Sequence, residues 1–178
     1  METKDYLEYI VNEVHSVIVA TVDDDGLPYT CAIDMMDTDG ESLYFLTATG
    51  KSFCDRLRKT NFLAFTAMKG EDTMSTVAVS VRGRVCELGN EKIPDLFEKN
   101  KYMYEIYPTE QSRRALTVFR LFQGSGEWFD LSKKPIERAD FTFGGGELKK
   151  EGYVINEKHC IRCGNCLRVC PVGAVEKV

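Results

Sequence analysis

The chain has 178 residues, with 23 Lys and Arg against 28 Asp and Glu, a formal net charge of −5. That length suits one domain with a small appendage, and the acidic balance argues against a protein built to grip nucleic-acid phosphates. No stretch approaches the roughly 18 apolar residues of a membrane span. The start, Met1-Glu-Thr-Lys-Asp-Tyr6, carries no basic-then-apolar leader. The expectation is a cytoplasmic protein with no membrane or nucleic-acid partner.

Residues 3–14 read as an amphipathic helix. Leu7, Ile10, Val11 and Val14 recur at helical spacing, with Thr3 as N-cap and Asp5 in the first turn. Val17–Val22 is β-branched and runs into the turn cluster Asp23-Asp-Asp-Gly-Leu-Pro28. Tyr29–Met36 alternates as a second strand, Asp39-Gly40 makes a tight turn, and Leu43–Thr49 is a third strand. Lys51–Thr60 reads as a short helix with Phe53 and Leu57 inward. Phe62–Met68 and Thr76–Leu88 are further strands, with Gly83 a bend or bulge. Lys92–Lys101 and Pro108–Leu116 read as helices. Thr117–Phe122 and Glu127–Leu131 read as a hairpin around Gly124-Ser-Gly126.

The connections are mostly too short for parallel crossovers. The predicted fold is therefore mainly β with added helices, an antiparallel barrel whose closure removes exposed edges. Phe143-Gly-Gly-Gly146 breaks the pattern, and Glu147–Gly152 is charged without an apolar period. The predicted organisation is a body at 1–143, a linker at 144–152 and a tail at 153–178. In the tail, Tyr153–Ile155 is a short strand with which Ala174–Val175 can pair.

Seven cysteines are unevenly placed. Cys31, Cys54 and Cys86 are scattered, and Cys54 and Cys86 read as buried small apolar residues. The other four form Cys160-Ile-Arg-Cys163-Gly-Asn-Cys166-Leu-Arg-Val-Cys170-Pro171, the C-x2-C-x2-C-x3-C-P run of a [4Fe–4S] site. Gly164 lets backbone pass close to the sulfides, and Pro171 ends the turn. Zinc prefers two cysteine pairs on a longer arm, so the four thiolates are predicted to hold a [4Fe–4S] cluster. These residues resemble the bacterial-type ferredoxin domains over 153–178. Those proteins often carry two such runs, with the fourth cysteine ligating the other cluster. With one run here, Cys170 closes the site within its own chain, or is exchanged between two chains, or yields to a body cysteine. Lys158, Arg162 and Arg168 offset the cluster's charge or are an ordinary solvated surface.

In the body, Leu43-Tyr-Phe-Leu-Thr-Ala-Thr-Gly-Lys-Ser-Phe53 runs strand, glycine, helix. A helix N-terminus offers free N–H groups, and Lys51, Ser52 and Thr49 add a charge and hydroxyls, which makes a phosphate seat. The plain alternative is a solvated lysine beside a helix cap. Gly50-Lys51-Ser52 imitates a P-loop, but Phe45 stands where its first glycine is needed.

The body as a whole resembles the FMN-binding split-barrel family of pyridoxamine 5′-phosphate oxidase-like and nitroimidazole-reductase-like flavoproteins. The resemblance rests on Val17–Thr21 with its Asp-Gly-Leu-Pro turn, on Leu43–Ser52, on Arg56-Leu-Arg-Lys-Thr-Asn61, and on Gly126–Leu131 with Pro135–Arg138. It implies a split barrel and a homodimer with FMN at the subunit interface. Lys51 and Ser52 would hold the phosphate, and Thr47 and Thr49 would lie along the ribityl chain or ring. Backbone at Ala32, Ile33 and Asp34 would reach the ring edge, with Arg82 or Arg84 approaching from the long fifth strand unless they are simply an exposed pair. The basic substrate-phosphate cluster of the pyridoxamine phosphate oxidases proper is not seen, so vitamin B6 oxidation is not expected. His15, at a helix end, and His159, beside the cluster, carry no catalytic assignment, and Trp128 reads as core or dimer contact.

Two redox centres imply a division of labour. The expected function is an FMN-dependent oxidoreductase in which the cluster feeds a flavin that reduces a small organic acceptor, nitro-aromatics among the candidates. The alternatives are a flavoredoxin-like carrier between redox partner proteins and a haem-binding oxygen sensor.

Overall fold

The computed structural model describes residues 1–148, 153–163, 166, 170 and 172–177. Contacts divide the chain into two compact units, Met1–Glu147 and Leu148–Val178. In the first, α1 (Thr3–Tyr9) is followed by a π-helical turn, Ile10–Val14, ending at His15. Glu2, not Thr3, is the N-cap. The Glu2 N–H donates to Asp5 Oδ2 at 2.7 Å, while the Thr3 hydroxyl donates to the Thr142 carbonyl.

The strands are β1 (Ser16–Val22), β2 (Pro28–Asp34), β3 (Asp37–Thr38), β4 (Leu43–Ala48), β5 (Phe62–Lys69), β6 (Val77–Gly89), β7 (Leu116–Asp130) and β8 (Glu137–Phe143). Helix α2 (Ser52–Thr60) joins β4 to β5, and α3 (Ile93–Lys99), α4 (Met103–Ile106) and α5 (Glu110–Arg113) join β6 to β7. All eight strands form one antiparallel sheet in the order β2-β1-β5-β6-β7-β4-β3, with β8 also on β7. The sheet curls until β2 and β4 touch. This is the split-barrel architecture, and the period-two patterning dictates it. Val17, Val19, Phe45, Leu63, Val81 and Leu121 point inward and are buried, and their neighbours face out. A second core lies on the other side of β4 and β7, where Tyr44, Leu116 and Val118 meet Leu96, Phe97 and Met103.

The expected hairpin at Gly124–Gly126 is absent. β7 runs unbroken from Leu116 to Asp130 and pairs with β6 and β8 together. The glycines serve close packing instead of a turn. A Cβ on Gly124 would lie 2.4 Å from the Arg82 carbonyl oxygen, and one on Gly126 would lie 2.4 Å from the Phe141 ring. Because the Gly124 obstacle is backbone, Gly124→Ala is expected to cost about 1–3 kcal/mol, read as a lowered urea midpoint with unchanged slope. The predicted helix at 108–116 shrinks to α5, since Leu116 already belongs to β7.

The first three residues of the predicted linker, Gly144–Gly146, stay with the first unit, and the Gly146 N–H donates to the Phe143 carbonyl. Residues 149–152 lie outside the described residues. In the second unit, β9 (Tyr153–Ile155) pairs antiparallel with β10 (Val175–Lys177). Among the described residues no helix is long and apolar enough to cross a membrane.

Candidate functional site

The site begins where β4 ends. Leu43, Phe45 and Thr47 face the barrel interior, and the chain then turns through Gly50 into α2. Thr47 is buried, and its hydroxyl has no hydrogen-bond partner. A buried hydroxyl left unpaired costs about 1–3 kcal/mol, so its place beside the α2 entry calls for a polar ligand atom. The Thr49 N–H donates to the Ala115 carbonyl and the Lys51 N–H to the Ala48 carbonyl, which fixes the turn. Lys51 is the N-cap of α2, and no side chain caps that end. Its first N–H groups and its positive dipole remain available to an anion.

Arg56 was not singled out by sequence as a site residue, and the structure brings it here. Arg56 and Lys51 both flank Cys31 on β2. Burial pushes the Cys31 thiol pKa up, and the two cations pull it partly back. The Arg56 Nε donates to Thr21 Oγ1 at 2.8 Å, and its guanidinium lies 4.9 Å over the Tyr29 ring. Among the described residues neither Lys51 nor Arg56 is engaged by a carboxylate, whereas Arg58 and Lys59 on the same helix pair with Glu87 and Asp24. The available signal was helical spacing. Ser52 and Arg56 are four apart, so they share a face of α2.

β2 is an edge strand. Ala32, Ile33 and Asp34 pair with Ile18, Val17 and Ser16 on one side, and among the described residues their other edge has no strand neighbour. Lys51, Ser52, Thr47 and Thr49 are thus gathered near β2 by the touching of β2 and β4. Arg82 is not. It sits on β6, paired with Ala64 and Ser125, with β1 and β5 between it and β2. Arg82 belongs to the outer sheet face, where Ile18, Val22, Phe62 and Met68 also stand exposed.

Cys54 is buried as expected, but Cys86 is only half-buried. It lies on β6 opposite Arg120, in the outward half of the alternation. Trp128 is buried against the rings of Tyr6 and Tyr9.

In the second unit, Cys160, Cys163, Cys166 and Cys170 line one cavity of about 270 Å3, with Ile155, Ile161, Val172, Ala174 and Val175 as its apolar wall. The Arg162 N–H donates to Cys160 Sγ at 3.4 Å and the Ala174 N–H to Cys170 Sγ at 3.2 Å. Backbone N–H groups, Ala174 first and Val172 next, hold the Cys170 thiol pKa below its usual range. Among the described residues no three His, Cys, Asp or Glu side chains gather tightly enough to form a ready-made metal group. Gly164, Arg168 and Pro171 lie outside the described residues, and Lys158, His159 and Arg162 are exposed.

Residues 3–123 match the family model described as pyridoxamine 5′-phosphate oxidase, and residues 153–176 match that of the 4Fe-4S binding domain. No curated protein matches the chain. Solved structures with the same fold include a NimC/NimA family protein from Clostridium acetobutylicum (15% identity, 79% of this chain and 92% of that one, TM-score 0.64). A heme binding protein from Mycobacterium smegmatis shares 11% identity over 83% of this chain and 62% of that one, TM-score 0.60. A pyridoxamine 5′-phosphate oxidase-related, FMN binding protein from Nostoc punctiforme shares 12% identity over 79% and 91%, TM-score 0.51. The family match spans well over half of the chain, and the split barrel is the fold of these structures. The chain belongs to the pyridoxamine 5′-phosphate oxidase family.

Proposed function

We propose that this protein is an FMN-dependent oxidoreductase in which a [4Fe–4S] cluster on the tail passes electrons to the flavin and a small organic acceptor, nitro-aromatic compounds among the candidates, takes them. The observation that carries the flavin is Lys51 at the uncapped start of α2 with Arg56 one turn further on, neither of them met by a carboxylate among the described residues, near the unpartnered Thr47 hydroxyl. A bound FMN answers these needs together, its phosphate the cations and its ribityl hydroxyls Thr47. Lys51, Arg56 and the Ser52 hydroxyl hold the phosphate, and Thr47 and Thr49 contact the ribityl chain. The free edge of β2 at Ala32–Asp34 offers backbone groups to the ring. Bound there, FMN would supply the conversion between single electrons and electron pairs.

The four thiols around one apolar cavity suit iron–sulfur ligation, because soft thiolates select such clusters and N–H groups aimed at sulfur stabilise the thiolate form. Cys160, Cys163, Cys166 and Cys170 are the ligands in this reading, all from one chain. The exposed face around Ile18, Phe62 and Met68 suits burial against a second copy, and Arg82 on that face suits a contact across it. A haem in the barrel is the second reading, favoured by the shared fold of the heme binding protein.

The test is the content of flavin, iron and acid-labile sulfide in full-length protein purified without oxygen. About one FMN with about four iron and four sulfide per chain is the expected result. Haem in place of flavin would overturn the flavin reading, and zinc in place of iron would overturn the cluster.

A further inference from the structure

Arg56 is held in place by two neutral groups. Its Nε donates to Thr21 Oγ1 at 2.8 Å, and its guanidinium lies 4.9 Å over the Tyr29 ring. Thr21 and Tyr29 stand opposite each other in the β1–β2 register, so their side chains share one face of the hairpin. Cys31 is on that same face, two residues along β2, and Lys51 flanks it together with Arg56. Thr21 is buried, which fixes its hydroxyl, while Tyr29 is 56% exposed.

A cation that served only to pin α2 to the hairpin would take a carboxylate, because the adjoining turn is rich in them. Asp23, Asp24 and Asp25 follow β1 directly. The Asp23 carboxylate instead accepts from the Asp25 and Leu27 N–H groups. Asp24 pairs with Lys59, which already ties the turn to the last turn of α2. Asp55, next to Arg56 in sequence, lies 3.8 Å from Arg58. Arg56 therefore keeps its positive charge on the helix that opens uncapped at Lys51. A guanidinium carries five N–H donors in a rigid plane. Thr21 takes the one on Nε, and among the described residues the two terminal nitrogens meet no protein acceptor. Those two nitrogens are the pair that grips a phosphate side by side.

We propose that Tyr29 and Thr21 are positioning residues that hold Arg56 as a two-pronged phosphate clamp, and so set the preference of this site for phosphorylated over unphosphorylated flavin. The inference rests on the flavin reading and adds the origin of its selectivity. Thr21 fixes the Nε corner of the guanidinium, and the Tyr29 ring fixes its plane. A long, rotamer-rich side chain is thereby ordered before the ligand arrives, so less entropy is lost on binding. The ring and the hydroxyl do this without neutralising the charge, which a carboxylate would do.

The test titrates FMN and riboflavin separately into the full-length, flavin-free protein. Tyr29→Leu removes the ring and keeps an apolar side chain, and Thr21→Val removes the hydroxyl at nearly constant volume. Tyr29→Leu is expected to weaken FMN binding about 2- to 5-fold, and the two substitutions together about 10-fold, with riboflavin affinity unchanged. Tyr29→Phe and Thr21→Ser retain the ring and the hydroxyl and keep the wild-type FMN affinity. In an Arg56→Ala background Tyr29→Leu changes nothing further, since the residue it positions is gone. A side chain that merely supported the fold would weaken both flavins alike, with or without Arg56. Either of those results, or an FMN affinity unmoved by the double substitution, overturns the positioning role and leaves the flavin reading intact. Where Thr21→Val fails to fold, Tyr29→Leu on the exposed ring carries the cycle with Arg56→Ala alone. Wild-type protein that binds FMN no more tightly than riboflavin overturns the phosphate seat and this inference together. Wild-type protein that binds neither overturns the flavin reading as well.

Discussion

Phe45→Ala is expected to destabilise the protein by about 3–5 kcal/mol, the range for removing a fully buried phenylalanine from a close-packed core. Phe45 has no exposed surface. Its ring stacks on Phe119 of β7 at 5.7 Å and meets Phe53 of α2 at 6.3 Å. The cavity left by truncation is walled by two other strand and helix rings, which the sheet register prevents from closing in. Urea denaturation of the full chain reads this as a large fall in midpoint at constant slope. Met74→Ala, in the exposed 3-10 turn Thr73–Ser75, is the control and is expected to shift stability by less than about 0.5 kcal/mol. The same substitution reaches the site. Phe53 is in the first turn of α2, so loss of its ring partner loosens the helix end that carries Lys51 and Ser52. Flavin affinity in Phe45→Ala should therefore fall even under conditions where the protein stays folded, which titration of the folded variant with FMN would check.

Most of the barrel was legible because alternation and turn chemistry are local signals. Val17–Val22 and the long strand after Thr76 could be read from β-branched runs, and Phe62–Met68 from a short apolar run carrying two aromatics. What misled was glycine. Gly124 and Gly126 have the composition of a hairpin turn, yet they sit mid-strand because Arg82 and Phe141 press against them from neighbouring strands. That pressure comes from residues distant in sequence. Strand β8 was likewise not read as one, since Glu137–Phe143 alternates weakly and is held by pairing with β7. The cluster motif was the clearest signal, because its four cysteines are fixed by spacing alone. The phosphate seat was half visible. Gly50-Lys51-Ser52 after a strand announced a helix start, but Arg56 becomes relevant only through Thr21, Tyr29 and Cys31, which the fold brings beside it. The Tyr102 hydroxyl likewise meets Asp34, 68 residues away, and His15, 87 residues away. No periodicity ties those three together. The segment that carries Tyr102 is anchored through its neighbour Met103 in a second core that single-sequence patterning does not reveal.

Lys51→Ala and Arg56→Ala are each expected to weaken FMN binding by about 10- to 100-fold, since a hydrogen bond to a charged group contributes about 1.5–3 kcal/mol. The two losses should not simply add, because both cations address one phosphate and removing one leaves the other to re-aim. Riboflavin separates this from general damage. It lacks the phosphate, so its affinity should be unchanged in both variants, and wild-type preference for FMN over riboflavin should collapse. Salt should act in the same direction. FMN affinity of the wild type falls as ionic strength rises, and falls less steeply once either cation is gone. Equal losses for riboflavin and FMN would place the phosphate elsewhere. Cys163→Ser is the orthogonal variant. It removes one thiolate from the cavity in the second unit and is expected to abolish iron binding while FMN affinity stays at the wild-type value. Flavin loss with iron intact in Lys51→Ala, and iron loss with flavin intact in Cys163→Ser, would establish two centres held by separate parts of one chain. Electron transfer between them could then be measured by the rate at which a reduced cluster, prepared with dithionite in limiting amount, bleaches the flavin in the wild-type protein.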